Sequence, residues 1–177
     1  MEIWDIMNEN GEITGKTAIR GRTCLKPGEY HLVVHIWIVS SKGDFLLQRR
    51  SESRRLMPGE WAATGGSAIS GENSEVAAKR ELYEELGIIG NDDNMRFMGR
   101  LKRRNSFLDV WFVRCDEKAE DLKLQKSEVA EVKWVSPSTL KKMIEQKKFH
   151  NYGREYFKAI FSYCDIVQNH YKLQEKI

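Results

Sequence analysis

The sequence predicts an α/β protein in which helices pack on a mixed β-sheet, and three observations support this class. The chain has 177 residues, of which 41% are hydrophobic and 31% charged, and this suits one compact domain with its own core. Stretches rich in β-branched and aromatic residues alternate irregularly with stretches of helical periodicity, as in layered α/β folds. The three cysteines are scattered and none forms a Cys-x-x-Cys pair, so we expect neither a disulfide framework nor a zinc cluster.

We treat residues 1–177 as a single domain with three parts. Residues 1–29 form an N-terminal β extension, residues 30–140 the core, and residues 141–177 the C-terminal helices. In the extension, turn residues from Asn8 to Gly11 separate two short stretches, which predicts a β-hairpin. Such a ribbon can add a strand to the sheet of a second copy, so we expect a homodimer.

The composition limits the partners. A formal net charge of +3, from 29 basic and 26 acidic residues, is too nearly balanced to indicate nucleic-acid binding through bulk electrostatics. No apolar run approaches the ~20 residues of a membrane-spanning helix. The first residues are acidic and amphipathic, unlike a secretory signal. We therefore expect a cytoplasmic protein with neither a membrane nor a nucleic acid as partner.

The remaining elements follow from hydrophobic patterning and turn residues. A long β-branched and aromatic stretch that begins at Tyr30 predicts a buried strand, and after a turn a second apolar stretch is expected to return antiparallel. The predicted strands cover residues 30–39, 45–50, 97–101, 107–114 and 129–135, and two predicted helices cover 136–146 and 154–171.

A further helix is predicted from Asn73 to Gly87. Asn73 or Ser74 suits the N-cap, strong helix formers follow, and Gly87 suits the left-handed C-terminal position. At about 100° per residue, two faces separate within this helix. The apolar face, which we expect to pack, carries Val76, Leu82, Tyr83 and Leu86, and the opposite face carries Glu81, Glu84 and Glu85.

The three glutamates at i, i+3 and i+4 repel one another unless something compensates for their charge. A hard divalent cation takes carboxylate oxygens and keeps positions for water and substrate phosphates, as Mg²⁺ commonly does. The alternative is a solvated acidic face without a ligand. The residues around the glutamates bear on this choice.

Gly66 is followed after five residues by Glu72 and, after seven more, by the segment from Arg80 to Ile88, Arg-Glu-Leu-Tyr-Glu-Glu-Leu-Gly-Ile. This pattern resembles the Nudix box of the Nudix hydrolase superfamily at every fixed position. The resemblance implies the α/β/α Nudix sandwich, with residues 66–88 forming loop, helix and loop within a catalytic core. It also implies hydrolysis of a phosphoanhydride in a nucleoside diphosphate linked to another moiety.

The resemblance further implies a role for each residue of the box. The cofactor is expected to be Mg²⁺, with Mn²⁺ as a substitute, and Arg80 is expected to orient Glu81. The expected metal-site residues are Gly66, Glu72, Glu81, Glu84 and Glu85. Outside the box, Glu128 is our first candidate for a further ligand or general base, and Glu131 is the second.

Three residues outside the box are candidates for substrate binding. Arg50 ends a strand that is expected to run toward the box, where its guanidinium would hold phosphate. His31 and Trp37 alternate with their neighbours onto one face of the first core strand and would line a pocket. The alternative for aromatic and imidazole side chains at this spacing is packing within the core.

Two other functions stay open. The region from Trp4 to Leu32 resembles a Nudix branch related to isopentenyl diphosphate isomerase, in which a histidine near His31 binds metal. However, Thr64 and Gly66 stand where the isomerase has a cysteine and a histidine, which favours hydrolysis. The other alternative is a catalytically silent Nudix domain that binds a nucleotide, although the full set of box residues argues against it.

Overall fold

The computed structural model describes residues 2–174, with side chains in the last helix described as far as Asp165. Met1 and residues 175–177, which belong to the predicted N- and C-terminal parts, lie outside the described residues. Within them the strands are β1 (Ile3–Met7), β2 (Ile13–Ile19), β3 (His31–Val39), β4 (Phe45–Arg50), β5 (Trp61–Ala62), β6 (Thr64–Ser67), β7 (Met95–Lys102), β8 (Ser106–Arg114) and β9 (Val129–Val135). The helices are α1 (Ser74–Leu86), α2 (Pro137–Glu145) and α3 (Arg154–Gln174).

The chain forms two compact units. The first unit comprises residues 2–37 and 63–113, and the second comprises residues 38–62 and 114–174. The division into 1–29, 30–140 and 141–177 follows other boundaries and stays a prediction.

The first unit holds the N-terminal hairpin, the helix α1 and the strands around it. β1 and β2 pair antiparallel as a separate two-stranded sheet, which confirms the predicted hairpin. β3 pairs antiparallel with β6, and Val34 lies opposite Gly66. β7 and β8 form a second antiparallel pair, and β8 neighbours β3 in the sheet.

Helix α1 has the predicted caps. The side chain of Asn73 accepts a hydrogen bond from the amide of Val76 at 2.9 Å, and Gly87 takes a left-handed φ of 74° at the C-terminal end. The helix packs on β6 and buries Leu82 and Leu86 completely. Full burial of one such leucine stabilises the fold by roughly 1.5–3 kcal/mol.

The predicted apolar face of α1 is wrong in two positions. Val76 and Tyr83 are 50% and 62% exposed, whereas Glu85, expected on the open face, is 3% exposed. The buried stripe instead consists of Ala77, Ala78, Leu82, Glu85 and Leu86. The helix is therefore rotated about its axis relative to the prediction, with Glu85 turned inward.

The second unit contains β4, β5, β9, α2 and α3. β4 pairs antiparallel with both β5 and β9, and Trp61 of β5 forms a parallel bridge with Phe149. Its core includes Phe45, which meets Phe161 of α3 edge to face at 5.9 Å, and fully buried Leu140 of α2. The three cysteines are free, and Cys24 of the first unit is exposed. Among the described residues, no helix is long and apolar enough to span a membrane.

Candidate active site

The acidic side chains of α1 differ in their exposure. The side chain of Glu81 is 15% exposed and that of Glu84 is 49% exposed, while the residue Glu85 is almost wholly buried. The amide of Gly65 in β6 donates to Oε2 of Glu85 at 3.4 Å. Because a buried carboxylate is costly unless polar groups satisfy it, this arrangement indicates a built site rather than a solvated helix face.

Arg80 binds carboxylates on both sides of its guanidinium. Its Nε and Nη2 donate to the two oxygens of Glu72 at 2.7 and 2.9 Å, a bidentate pair. Its Nη1 donates to Glu81 at 2.9 Å and to Glu84 at 3.1 Å. Nη2 also donates to the carbonyl oxygen of Ser67 in β6 at 3.1 Å. Arg80 therefore contacts three carboxylates, Glu72, Glu81 and Glu84, which we call the acidic group, beyond the predicted contact with Glu81.

These contacts shift the pKa of each partner. Burial alone would raise the pKa of Glu72, but hydrogen bonds from Arg80 and from the amide of Ile69 outweigh it and lower the pKa. For Glu81 burial dominates and raises the pKa, although Arg80 opposes the shift. Hydrogen bonds to Glu72 are the largest cause of the raised pKa of Arg80. Because the pKa of Glu72 is lowered and that of Glu81 is raised, Glu72 stays ionised to a lower pH than Glu81.

Strand β6 leaves space beside Glu81. A Cβ atom at Gly66 would overlap the carboxylate of Glu81, so a residue without a side chain is needed here. Gly66 pairs with Val34 in the sheet, and this fixes the position of its backbone relative to α1. The structure therefore places Gly66 directly against the acidic group, as the spacing of the box implies.

The residues of this site fit a divalent cation by their donor chemistry. Carboxylate oxygens from Glu81, Glu84 and Glu85, with the open backbone at Gly66, are the oxygen donors that Mg²⁺ and Mn²⁺ accept. In the part of the chain that the structure describes, no three such side chains stand ready as a ligand cluster. Two of these glutamates are instead bound to Arg80, whose Nη1 donates to both Glu81 and Glu84.

The N-terminal hairpin brings further charged and aromatic groups to the first unit's site. Trp4 stacks on His31 with ring centroids 4.0 Å apart, and its indole N–H donates to Glu2 at 2.8 Å. Glu2 also pairs with Arg20 at 2.6 Å and contributes to the raised pKa of Glu81. His31 is 9% exposed, and its Nδ1 is buried without a hydrogen-bond partner.

The environment of His31 predicts an unusual titration. Burial is the main cause that lowers its pKa from 6.5 to about 4, and Arg20 adds to the effect while Glu2 opposes it. A folded-state pKa below the unfolded value means that this group costs stability as the pH falls from about 6.5 toward 4. We expect NMR of the imidazole carbons to show His31 titrating near pH 4. The His31→Gln variant identifies the signal, and a midpoint near 6.5 would contradict the prediction.

The other predicted site residues have structural partners in the second unit. Arg50 is 8% exposed, and its Nε donates to the carbonyl oxygen of Leu56 at 3.0 Å. Glu128 forms an ion pair with Arg54, and Glu131 pairs with Nε of Arg49 at 3.0 Å. The structure therefore gives each of these groups a partner within its own unit.

Trp37 does not fit its predicted role. Its residue is 1% exposed, so the indole lies inside the core and presents no surface to a substrate in this conformation. His35, on the same face of β3, is also buried. This burial favours the alternative in which these side chains of β3 pack within the core.

Sequence reasoning missed the contribution of β1 to the site. Glu2, Trp4 and Asp5 all contact residues near the box or charges that act on it. The available signal was the acidic and amphipathic character of these first residues, which indicates no partner by itself.

The Nudix class of hydrolases is defined by an α/β fold with this site. Arg80 and three glutamates lie on a helix beside Gly66, and Glu72 lies in the loop before that helix. The sequence profile of the NUDIX domain matches residues 29–159. The chain belongs to the Nudix hydrolase family. An uncharacterized Nudix hydrolase of Listeria monocytogenes is 42% identical over 153 residues, which cover 86% of this chain and 90% of the relative. Nudix hydrolase 3 of Arabidopsis thaliana is 35% identical over 148 residues, which cover 76% of this chain and 19% of that protein.

Solved structures show the same fold. A crystal structure of a Deinococcus radiodurans protein matches with a TM-score of 0.73 and 26% identity, covering 85% of this chain and 93% of that chain. The MutT protein of Methanosarcina mazei matches with a TM-score of 0.55 and 28% identity, covering 81% and 96% of the two chains. The predicted α/β fold of the Nudix type is confirmed. The family makes the protein a hydrolase that acts on nucleoside diphosphate derivatives, a class that generally uses divalent metal ions.

Proposed function

We propose that this protein hydrolyses the phosphoanhydride bond of a nucleoside diphosphate linked to another moiety, through attack of water on phosphorus in the presence of Mg²⁺ or Mn²⁺. The observation that carries the proposal is the arrangement around Arg80, which gathers Glu72, Glu81 and Glu84 next to the open backbone of Gly66. Carboxylates this close together repel one another, and Arg80 offsets that repulsion. Packing of the fold does not require such a cluster, so the cluster indicates a bound cation.

The residues of α1 would divide the work of the site. A divalent cation, when bound, neutralises charge on the diphosphate oxygens as the phosphorus is attacked. Glu81, Glu84 and Glu85 would hold it, with the carbonyl of Gly66 beside them. Arg80 keeps its bidentate hold on Glu72 and would release its Nη1 contacts with the helix glutamates.

The proton acceptor for the attacking water is a separate part of the proposal. Glu128 stays our first candidate and Glu131 the second. Each is paired with an arginine, Arg54 and Arg49 respectively, which occupies its carboxylate in this structure. Either role therefore requires that the ion pair opens when substrate binds.

Substrate contacts proposed for Arg50 and His31 carry a similar condition. Both residues are more than nine-tenths buried. His31 offers an unpartnered Nδ1, whereas Arg50 is engaged with Leu56. Of the two, His31 is the better placed to accept a hydrogen bond without breaking an existing one.

A substrate panel tests the proposed reaction. The purified protein is incubated with nucleotide sugars, dinucleoside polyphosphates, nucleoside di- and triphosphates and isopentenyl diphosphate, with MgCl₂, with MnCl₂ or with EDTA. We expect cation-dependent cleavage of a nucleoside diphosphate derivative, which ³¹P NMR will detect. In labelled water, ¹⁸O should appear on the attacked phosphorus. A shifted alkene without phosphate release would instead indicate the isomerase, and tight nucleotide binding without product would indicate the silent domain.

A homodimer and a cytoplasmic location also remain proposals. The strand β1 already has partners on both sides, since it pairs with β2 and its Ile3 carbonyl accepts from the amide of Ser70. A dimer through the hairpin would therefore use the outer edge of β2. Sedimentation velocity at micromolar concentration measures the oligomeric state, and a monomer there would remove this proposal.

A further inference from the structure

Strand β1 is bonded directly to the loop that precedes α1. Oδ1 of Asp5 accepts from the hydroxyl of Ser70 at 2.6 Å, and Oδ2 accepts from the amide of Gly71 at 2.8 Å. The carbonyl of Ile3 accepts from the amide of Ser70 at 2.8 Å. Three hydrogen bonds thus join the hairpin to two consecutive loop residues, and two of them are accepted by the two oxygens of the Asp5 carboxylate.

The same loop carries Glu72. Its amide donates to the carbonyl of Ile69 at 3.0 Å, and its Oε2 accepts from the amide of Ile69 at 3.0 Å. The side chain of Glu72 is 11% exposed and holds Arg80 by two hydrogen bonds. The contacts therefore run from Asp5 through Ser70 and Gly71 to Glu72, and from there to Arg80.

Apolar packing between the hairpin and the loop is incomplete. A cavity of about 170 Å³ lies here, lined among others by Asp5, Met7, Ile69 and Glu72. Beside this space, the hydrogen bonds of Asp5 hold the loop to the hairpin. A carboxylate with two directed acceptors fixes the orientation of the loop as well as its distance.

The position of Glu72 matters because Arg80 competes with a cation for the helix glutamates. Nη1 of Arg80 contacts Glu81 and Glu84, the same groups that would bind the metal. A firmly placed Glu72 holds the guanidinium by its other edge and limits how far it follows those glutamates. A displaced Glu72 would leave Arg80 paired with the helix glutamates alone, and a cation would then displace its Nη1 less readily.

We propose that Asp5 is a positioning residue of the active site, which sets the loop before α1 so that Glu72 can hold Arg80 when its Nη1 releases Glu81 and Glu84 to the cation. This inference rests on the proposed function of the site. The hairpin lies outside the matched NUDIX region, which begins at residue 29, so the positioning comes from an element beyond the family's domain.

The test measures Mn²⁺ binding in the absence of substrate, by the EPR signal of free Mn²⁺. We expect Asp5→Ala to weaken Mn²⁺ binding about tenfold. This is in the range found for residues that do not bind the metal but position the side chains that do. Asp5→Asn keeps one acceptor and gains an N–H that can donate to Ser70, so it should restore most of the affinity. Ser70→Ala removes one of the two Asp5 contacts and should give a smaller loss.

Thr14→Val is the matched control. The hydroxyl of Thr14 donates to the carbonyl of Ile6 at 2.8 Å within the hairpin and does not take part in the contacts to the loop. This variant should bind Mn²⁺ like the wild type. Hydrogen exchange of the Gly71 amide should accelerate in Asp5→Ala and stay slow in Thr14→Val. With a substrate found in the panel, Asp5→Ala should lower kcat and leave KM nearly unchanged.

The outcomes separate this inference from the proposed function. Wild-type protein that binds no Mn²⁺ would overturn both. Mn²⁺ binding that is the same in the wild type and in folded Asp5→Ala overturns the role of Asp5 alone. An equal loss in Thr14→Val also overturns it, because the effect would then come from general loosening of the hairpin.

Discussion

Replacing Glu84 by Gln is expected to lower kcat by roughly 100- to 1000-fold while the fold stays intact. Glutamine keeps the shape of the side chain but loses the charge that would hold the cation. Loss of a few kcal/mol of transition-state stabilisation gives a rate change of this size, since each 1.36 kcal/mol is tenfold. The side chain of Glu84 is 49% exposed and its ion pair with Arg80 is of the exposed kind, so stability should change by about 1 kcal/mol or less.

The measurement is steady-state turnover with saturating Mg²⁺, together with a urea unfolding curve. Glu75→Gln is the matched control, because Glu75 lies on the same helix and pairs with Lys79 outside the acidic group. We expect the control to keep wild-type turnover. Glu85→Gln should also lose activity, but Glu85 is buried and its substitution disturbs packing as well. Unchanged turnover in Glu84→Gln would remove the helix glutamates from the mechanism.

The sequence predicts α1 well because its determinants are local. The caps at Asn73 and Gly87 and the spacing of Glu81, Glu84 and Glu85 depend only on neighbours within the helix. The rotation of the helix about its axis is a different matter, since it depends on what packs against it. Helix α1 packs on β6 with Ala77, Ala78 and Glu85 buried, which no count of apolar positions within α1 could show.

The parts of the site that the sequence does not predict depend on contacts between distant residues. Asp5 and Ser70 are 65 positions apart, and their contact follows from the placement of the hairpin beside the loop. Trp37 shows the reverse case. Its strand was predicted correctly, but the residue is 1% exposed and lies in the core rather than in an open pocket. Periodicity gives the face of a residue, and only tertiary packing decides whether that face is a pocket.

Replacing Arg80 by Met is expected to lower the free energy of unfolding by about 2–3 kcal/mol near neutral pH, and to abolish most of the activity. Removing one partner of a buried charge pair costs roughly 3–5 kcal/mol, and the 22% exposure of the Arg80 side chain places the effect at or below that range. Three carboxylates would lose their shared cation. Two of them, Glu72 and Glu81, are 11% and 15% exposed and have little water to replace it.

The pH dependence of this loss identifies its cause. In the wild type, hydrogen bonds from Arg80 outweigh burial and hold the pKa of Glu72 below its ordinary 4.5, so this contribution is present above pH 4.5 and is lost as the pH falls through the lowered pKa. In Arg80→Met the pKa of Glu72 rises, and that of Glu81, already raised by burial, rises further. The folded variant then binds protons more readily than its unfolded chain, and its stability deficit shrinks as both carboxyls are protonated.

Urea unfolding at pH 7.5 and pH 5 should therefore show a larger gap between the wild type and Arg80→Met at the higher pH. Lys79→Met is the control, since Lys79 precedes Arg80 on α1 but pairs with Glu75 and Asp92 at the surface, and its effect should be small at both values. A gap that is equal at the two pH values would mean that Arg80 stabilises the fold by packing of its stem. A gap that narrows on acidification means that its charge holds together an acidic group which the fold by itself does not stabilise.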